Sequence, residues 1–504
     1  MNNVPEIKLG LVVGTTNWMP TEYATESLHK LADIYRERYG NENIFVCPVC
    51  VDDNEVSVKR ALKSLEKNGC NALCLYFANY GPEKTCAVLV EKFTSQNGPV
   101  MFCAAAEEAQ EHLWDKRKDA YSGILNANYG LSWKNLLVYL PNEPVSEISE
   151  CANMVHNFVA IARVIVALRY LQIISFGPRP SSYTAAYAPY HSLYNWGIKV
   201  DEFSEMELLN AYERHIDDSR IPNLVEEMLV DLDVNREVAN LKLLGKFAQY
   251  ELTVKDWLRN HKGLCEYVAL TSTCWPAFPK NFGFVPCYVN SRLAGQGIPC
   301  ACEVDIFGAL SEYVAQCVSN YTATILNINN NIPKNIYESK IKGLHFLEGG
   351  YEITDLFLGY HCGVTSNDIL QNGSLKPHFI NNKLIGYEMA QGTIQGGLKP
   401  GLITIFRIQV SSNGKLSAYM AEGEILPINI DTYGGRAVIA VKEMSRFYRY
   451  VLLTRHFPNH FALLYGHFAN ELYSICKYLG IDMIEYNHPP HIPYKDECMV
   501  GWHR

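Results

Sequence analysis

Two carboxylates, Glu303 and Asp305, stand two residues apart in "CACEVDIFGAL", residues 300–310, between cysteines and apolar side chains. The apolar run before them ends as a strand would, and "DIFGALSEYVAQCV" has helical periodicity, so both acids fall where a strand gives way to a helix N-terminus. Acids there interact favourably with the helix dipole, which accounts for many such residues. The same place, the carboxyl end of a strand, is where α/β proteins build active sites. Locally the two readings are evenly matched. A second group is "PNHFALLYGH", with His460 and His467 seven residues apart. That spacing puts them on one face of a helix but on opposite faces of a strand. A histidine joined by carboxylates from distant segments is the donor set of a Mn²⁺- or Zn²⁺-type site, although a single histidine in an apolar run is more often a satisfied core residue.

The cysteines are weaker signals. "CPVC", Cys47 to Cys50, has the spacing of half a zinc knuckle, but no second CxxC occurs. "IFVCPVCV" reads instead as a buried strand in which cysteine acts as a small hydrophobe. Sixteen cysteines in a chain of 504 residues without an export signal read as free thiols in a reducing cytoplasm rather than a disulfide framework.

The elements that must position these residues come in two textures. From "KLGLVVGTT" through "NIFVCPVCV", "ALCLYFAN" and "VMFCAAA", short strands alternate with helical stretches such as "YATESLHKLADIYRERYG". Such alternation implies a parallel sheet with crossover helices, open for ligands at its strand ends near Asn79, Tyr80 and Gly81. A second α/β unit begins near "QIISFGPRPSSYTAAY" and includes the strands "EYVALTSTCW" and "GIPCACEVD". From about residue 340, "KLIGYEMAQG", "GLITIFRIQVSSNGKLSAYMAEGEI" and "GRAVIAVK" are β-rich with Gly and Asn-Gly turn signals, which implies an antiparallel sheet or barrel. The expected organisation is three domains: residues 1–170 and 171–335, two Rossmann-like parallel-sheet α/β domains, and residues 336–504, β-rich, with Glu303 on the second and His460 on the third.

Composition narrows the function. With 48% hydrophobic and 19% charged residues the chain can bury several cores. Its net charge of −9 offers no basic excess to replace phosphate counterions, which argues against a nucleic-acid binder. The most apolar stretch, "NFVAIARVIVALRYLQIISF", contains two arginines and reads as a buried helix running into a strand, not a membrane span. A cytoplasmic protein without nucleic-acid or membrane partners is expected.

Several segments, in order, resemble the L-fucose isomerases and the related L-arabinose isomerases. "CEVDIFGAL" resembles the family's "TENDSLNGVA", "SLKPHF" (374–379) its "TMKPHW", and "AEGEILP" (421–427) its "AEGWSVELP"; the run from Asn459-His460 to Tyr465-Gly466-His467 is similar to its "NHG…YGH". "GYHCGVT", with His361 and Cys362, resembles a His-Cys-Gly element of shorter members. The matches cover most of the last 340 residues, whereas the first third matches mainly in its α/β rhythm. The resemblance implies an aldose–ketose isomerase with a divalent metal, commonly Mn²⁺, with Co²⁺ and Zn²⁺ as alternatives. It also implies a homo-oligomer, for instance a hexamer, with pockets near subunit interfaces. In that chemistry a cation chelated by O1 and O2 of an open-chain sugar acidifies the C2 proton, and a carboxylate carries it between C2 and C1 through a cis-enediol. Glu303 falls on the family's base and ligand, and His460 on its metal-ligating histidine. The family's second ligating acid lies twenty-four positions after the Glu, where this chain has Asn327. An Asn carbonyl can ligate a hard cation but carries no charge and cannot act as a base. Three consequences are open: a weaker site with Glu303 alone moving the proton, a shift of Asp305 from its supporting position into the catalytic role, or an altered reaction.

The substrate is expected to be an open-chain hexose, deoxyhexose or modified sugar. Arg179, in "FGPRPSSY", and Arg292 and Arg455 are candidates for clamping an anionic group, with structural pairing the default for each. Trp275 and Tyr183 could stack on a sugar face. His361, His378, Asn459 and His467 are candidate contacts to sugar hydroxyls. The alternatives are a sugar-binding descendant that kept the fold without catalysis, favoured by Asn327, and an epimerase or lyase using the same enediolate.

Overall fold

The computed structural model describes residues 3–96, 98–107, 117–411 and 414–497. They fall into two compact units, one of residues Pro5–Ala167 with Lys477–Gly480, the other chiefly Leu168–Cys476 with 481–497.

The first unit holds five parallel strands, β1 (Leu9–Val13), β2 (Ile44–Val46), β3 (Ala72–Phe77), β4 (Val100–Ala105) and β5 (Val145–Ser146), in the order β2-β1-β3-β4-β5. Strands β1, β3 and β4 are buried along their whole length. Helices cover both faces of such a sheet, which is why these strands read as unbroken apolar runs rather than alternating ones. The helix Ile148–Arg169 is the one described helix long and apolar enough to cross a membrane, but 67% of its most apolar window is buried inside the protein. It runs into a strand, as its sequence implied.

The second unit contains two sheets. Strands β6 (Leu171–Gly177), β7 (Lys199–Ser204), β8 (Tyr267–Thr271) and β9 (Cys300–Ala301) form a parallel sheet in the order β7-β6-β8-β9. The larger sheet comprises β10 (Thr324–Asn331), β11 (Leu356–His361), β12 (Leu370–Pro377), β13 (Gln391–Leu398), β14 (Gly401–Val410), β15 (Leu416–Ile425), β16 (Gly435–Ala440), β17 (His460–Tyr465) and β18 (Met483–Tyr486). Its order is β12-β13-β16-β11-β10-β17-β14-β15-β18, antiparallel except where β13 meets β16 and β15 meets β18. This is the parallel α/β plus antiparallel architecture that the sequence implied. One detail differs: β10 opens the large sheet at Thr324, ahead of the expected boundary at 336.

The helix Ile306–Ser319 joins the two sheets. It follows β9 and packs on β14 and β17 of the large sheet. Its residues from Ile306 to Val318 are all buried, because it is apolar on nearly every side. That placement brings the loop before it against the start of β17.

Candidate active site

The turn between β9 and this helix is built for position rather than comfort. Glu303 and Val304 both adopt left-handed backbone angles, φ 54° and φ 60°. A β-branched residue there is costly, about 1–3 kcal/mol, and persists only where surrounding contacts over-determine it. Here the Val304 amide donates to the Ser272 carbonyl at 3.1 Å and the Asp305 amide to that of Cys302 at 3.2 Å. The helix then starts on Asp305, whose carboxylate accepts from the Gly308 amide at 2.8 Å. A Cβ at position 308 would lie 2.6 Å from Asp305 Oδ2, so the close approach requires glycine.

Asp305 is buried, and so is its partner Arg407 on β14. The guanidinium grips the carboxylate with both nitrogens, at 2.7 and 2.9 Å, and also donates to Gln409. On the other side His460 Nδ1 lies 2.8 Å from Asp305 Oδ2. Burial alone would raise the Asp305 pKa, but Arg407 and His460 outweigh it and hold the carboxyl well below the usual range. The ionised Asp305 thus fixes the proton of His460 on Nδ1 and leaves Nε2 as the acceptor. Nε2 lies 3.4 Å from Glu303 Oε2 and 3.1 Å from the Tyr183 hydroxyl. Glu303 Oε2 is buried and makes no hydrogen bond.

Register explains how Asn327 arrives. Antiparallel pairing sets Asn327 of β10 opposite His460 of β17, on one face of the sheet. Its carbonyl oxygen accepts from the Asn459 amide at 3.0 Å, and the Asn459 carbonyl lies 3.2 Å from the Tyr183 hydroxyl. Glu303, Asp305, Asn327, Asn459 and His460 therefore form one connected group, with Tyr183 bridging its members.

Glu303 and Tyr183 line a cavity of about 480 Å³, together with Cys274, Trp275, Lys280, Cys362, His378 and Asn381. His361, at the end of β11, is buried with its ring 5.7 Å from that of His460, and its Nε2 has no hydrogen-bond partner. Burial opposes its positive charge, but Cys362, Glu303 and Glu312 outweigh burial and raise it to about 9. Arg179 lies in a neighbouring cavity beside Tyr187 and Val304, its guanidinium on the carbonyls of Pro180 and Tyr183. His467 is placed elsewhere. Residues 460–465 form a strand, so His467 emerges roughly 20 Å along the chain from His460. There it meets the Gly423 carbonyl at 3.2 Å and the carboxylates of Glu348 and Glu422. Arg292 and Arg455 are structural, paired with Glu251 and with Glu485 and Asp496 respectively.

Residues 10–169 match the family described as fucose/sulfoquinovose isomerase, N-terminal domain, and residues 359–487 match the L-fucose isomerase, C-terminal domain. The chain belongs to the L-fucose isomerase-like family. Its members are ketol-isomerases, and so is this protein by class. Among its relatives is a sulfoquinovose isomerase of Priestia aryabhattai, 21% identical over 471 residues that cover 90% of this chain and 95% of the relative. Another, from Alkalicoccus urumqiensis and of the same name, is 22% identical over 58% of this chain and 59% of its own.

The site residues meet the chemistry of the family's divalent cation on two counts. Glu303 presents a buried carboxylate oxygen with no hydrogen bond, and His460 presents Nε2 while a carboxylate holds Nδ1. Cys302, Glu303 and His361 also bring donor atoms within 4.8 Å of one another. Residues that escaped the sequence reading include Lys280 on the cavity wall and two inside the second unit. Arg407 and Glu312 are charges inside the apolar runs "GLITIFRIQV" and "FGALSEYVAQCV", and a buried charge in such a run calls for a partner or a role.

Proposed function

We propose that the protein interconverts an open-chain anionic aldose, a sulfonated hexose such as sulfoquinovose, with its ketose. The observation that carries this reading is the Glu303 carboxylate, free of hydrogen bonds at Oε2, on the wall of a sugar-sized cavity and 3.4 Å from an oriented imidazole. Glu303 and His460 would hold a divalent cation, with the Asn327 carbonyl in place of the family's second acid. When bound, such a cation supplies the charge that stabilises oxygens gaining electron density at C1 and C2. Glu303 removes the C2 proton and returns it to C1, which requires that Asp305, already committed to Arg407 and His460, take no part in the transfer. The Tyr183 hydroxyl is in place to hydrogen-bond a substrate oxygen, and Trp275 to cover the sugar and exclude water. Lys280 on this cavity and Arg179 in the adjoining one are the cations for the sulfonate.

The test is turnover of sulfoquinovose and of neutral hexoses in D₂O with Mn²⁺, Co²⁺ or Zn²⁺ added, followed by NMR. The expected product is the ketose, with solvent deuterium at the transferred position and KM for the sulfonated sugar about tenfold higher in Arg179→Ala or Lys280→Ala. An epimer or a cleaved product would replace the isomerase reading. Binding without turnover, unchanged in Glu303→Gln, would favour the non-catalytic descendant that Asn327 suggests.

A further inference from the structure

Two cysteines and a histidine meet on the wall of the Glu303 cavity, from segments far apart in the chain. Cys274 follows β8, Cys362 follows β11, and His378 caps the helix Phe379–Ile385. The two sulfurs and one ring nitrogen of the histidine lie within 4.8 Å of one another. Cys274 and His378 are buried, Cys362 is partly exposed, and all three line the cavity. Asn381 holds the group in place. Its backbone amide donates to His378 Nδ1 at 3.2 Å, and its side chain donates to the Cys274 carbonyl at 3.3 Å. Because Nδ1 accepts, the neutral ring carries its proton on Nε2, which faces Cys274 Sγ at 3.9 Å. That proton makes His378 a donor to the sulfur rather than a ligand for a metal.

Most buried cysteines pack as small hydrophobes. Proximity alone does not change that: Cys74 and Cys103, on β3 and β4, have their sulfurs 3.6 Å apart but are fully buried in the first unit. Cys274 and Cys362 differ in two respects. They border a cavity large enough to admit a small molecule, and an imidazole N–H is placed to support a thiolate. We infer that Cys274 and Cys362 are an oxidisable pair, converted by a hydroperoxide into a disulfide that restrains the Glu303 cavity.

With hydrogen peroxide the chemistry runs in two steps. Cys362, the more exposed thiol, reacts first. Its sulfur attacks one peroxide oxygen, the O–O bond breaks, and the departing hydroxide takes the thiol proton and leaves as water, giving a sulfenic acid. Cys274, as the thiolate that His378 supports, then attacks the Cys362 sulfur. The S–S bond forms, the S–O bond breaks, and the hydroxide released recovers the proton that Cys274 gave up. The two thiols lose two electrons and the peroxide gains them. Rotation of the side chains about Cα–Cβ is the movement that brings the sulfurs to the bonding distance of about 2 Å. The link would join the loop that carries Trp275 to the strand end that carries His361, so two walls of the cavity lose freedom on oxidation. Its effect on sugar turnover rests on the proposed isomerase activity, whereas the cross-link itself does not.

The test treats the reduced protein with hydrogen peroxide, blocks the remaining thiols and maps the peptides by mass spectrometry. The expected result is a Cys274–Cys362 cross-link, with free thiols falling by two from the sixteen per chain and returning on dithiothreitol. Cys74 and Cys103 should stay unlinked. In Cys274→Ser, shown to be folded by far-UV circular dichroism, the cross-link should vanish and Cys362 should accumulate as a sulfenic acid that dimedone traps. Thiols that stay free in excess peroxide, a different pair cross-linked, or a metal held between Cys274, Cys362 and His378 in the protein as isolated would overturn the assignment. Oxidation of the wild type should also lower sugar turnover about tenfold or more, because the cavity walls no longer settle around the substrate, and reduction should restore it. Complete cross-linking with turnover unchanged would overturn the control of the cavity. The thiol readouts need no turnover, so this site and the isomerase activity can fail separately.

Discussion

Glu303 and Asp305 are two residues apart on one turn, yet the two sides of that turn do opposite things. Asp305 points into the protein, where Arg407, His460 and the Gly308 amide occupy its oxygens. Glu303 points towards the cavity and leaves Oε2 without a hydrogen bond. A carboxylate whose lone pairs are all engaged is a fixed charge that orients its neighbours. One with a free oxygen can bind a cation or accept a proton. The contrast divides nearly identical chemistry at positions 303 and 305 into an available oxygen and a fixed charge, and the proposed role of Glu303 as base rests on that division.

The largest expected effect breaks the cavity side alone. Glu303→Gln keeps the shape and removes the base, so kcat should fall by about 10²–10⁴-fold with thermal stability nearly unchanged; a variant with normal kcat would end the assignment. On the inner side, Arg407→Met strips the buried Asp305 of its guanidinium partner and leaves it only His460 and the Gly308 amide. Breaking such a pair costs about 3–5 kcal/mol, measurable by urea unfolding. Acid titration sharpens the same point. The folded pKa of Asp305 is depressed below its unfolded value, so its contribution to stability is full above that unfolded value, about 4, and is lost as pH falls through the lower folded one.

Glu312 gives the opposite sign. Burial raises it to about 8, so between roughly pH 4 and pH 8 the unfolded chain ionises it and the folded chain does not. Stability should therefore decline across that window by up to about 1.4 kcal/mol per pH unit from this group, and Glu312→Gln should flatten the decline. The smallest expected effect concerns the neutral member of the group. Asn327→Asp restores a charge opposite His460 and should tighten Mn²⁺ binding about tenfold, within the range one nearby carboxylate contributes. Calorimetry would read it, and unchanged affinity would place position 327 outside the metal's reach.

Much of this was legible beforehand because it is local. Strand–helix alternation, the start of a helix after "CEVD" and the apolar burial of residues 148–169 follow from patterns within ten or twenty residues. His467 shows the limit. Seven residues mean one face in a helix and a separation of roughly 20 Å in a strand, and "HFALLY" has no feature that settles which before its neighbours β10 and β14 claim it as a strand.

The sequence by itself determined the fold class, the place of Glu303 at a strand end and its ordered companions Asp305, Asn327 and His460. Only the tertiary structure decided which acid is committed to Arg407, which face of β17 His460 presents, and that Cys274, Cys362 and His378 bring their donor atoms together. Those outcomes rest on side chains separated by tens to more than a hundred residues, and such contacts are set by sheet order and register, which no short window of sequence contains.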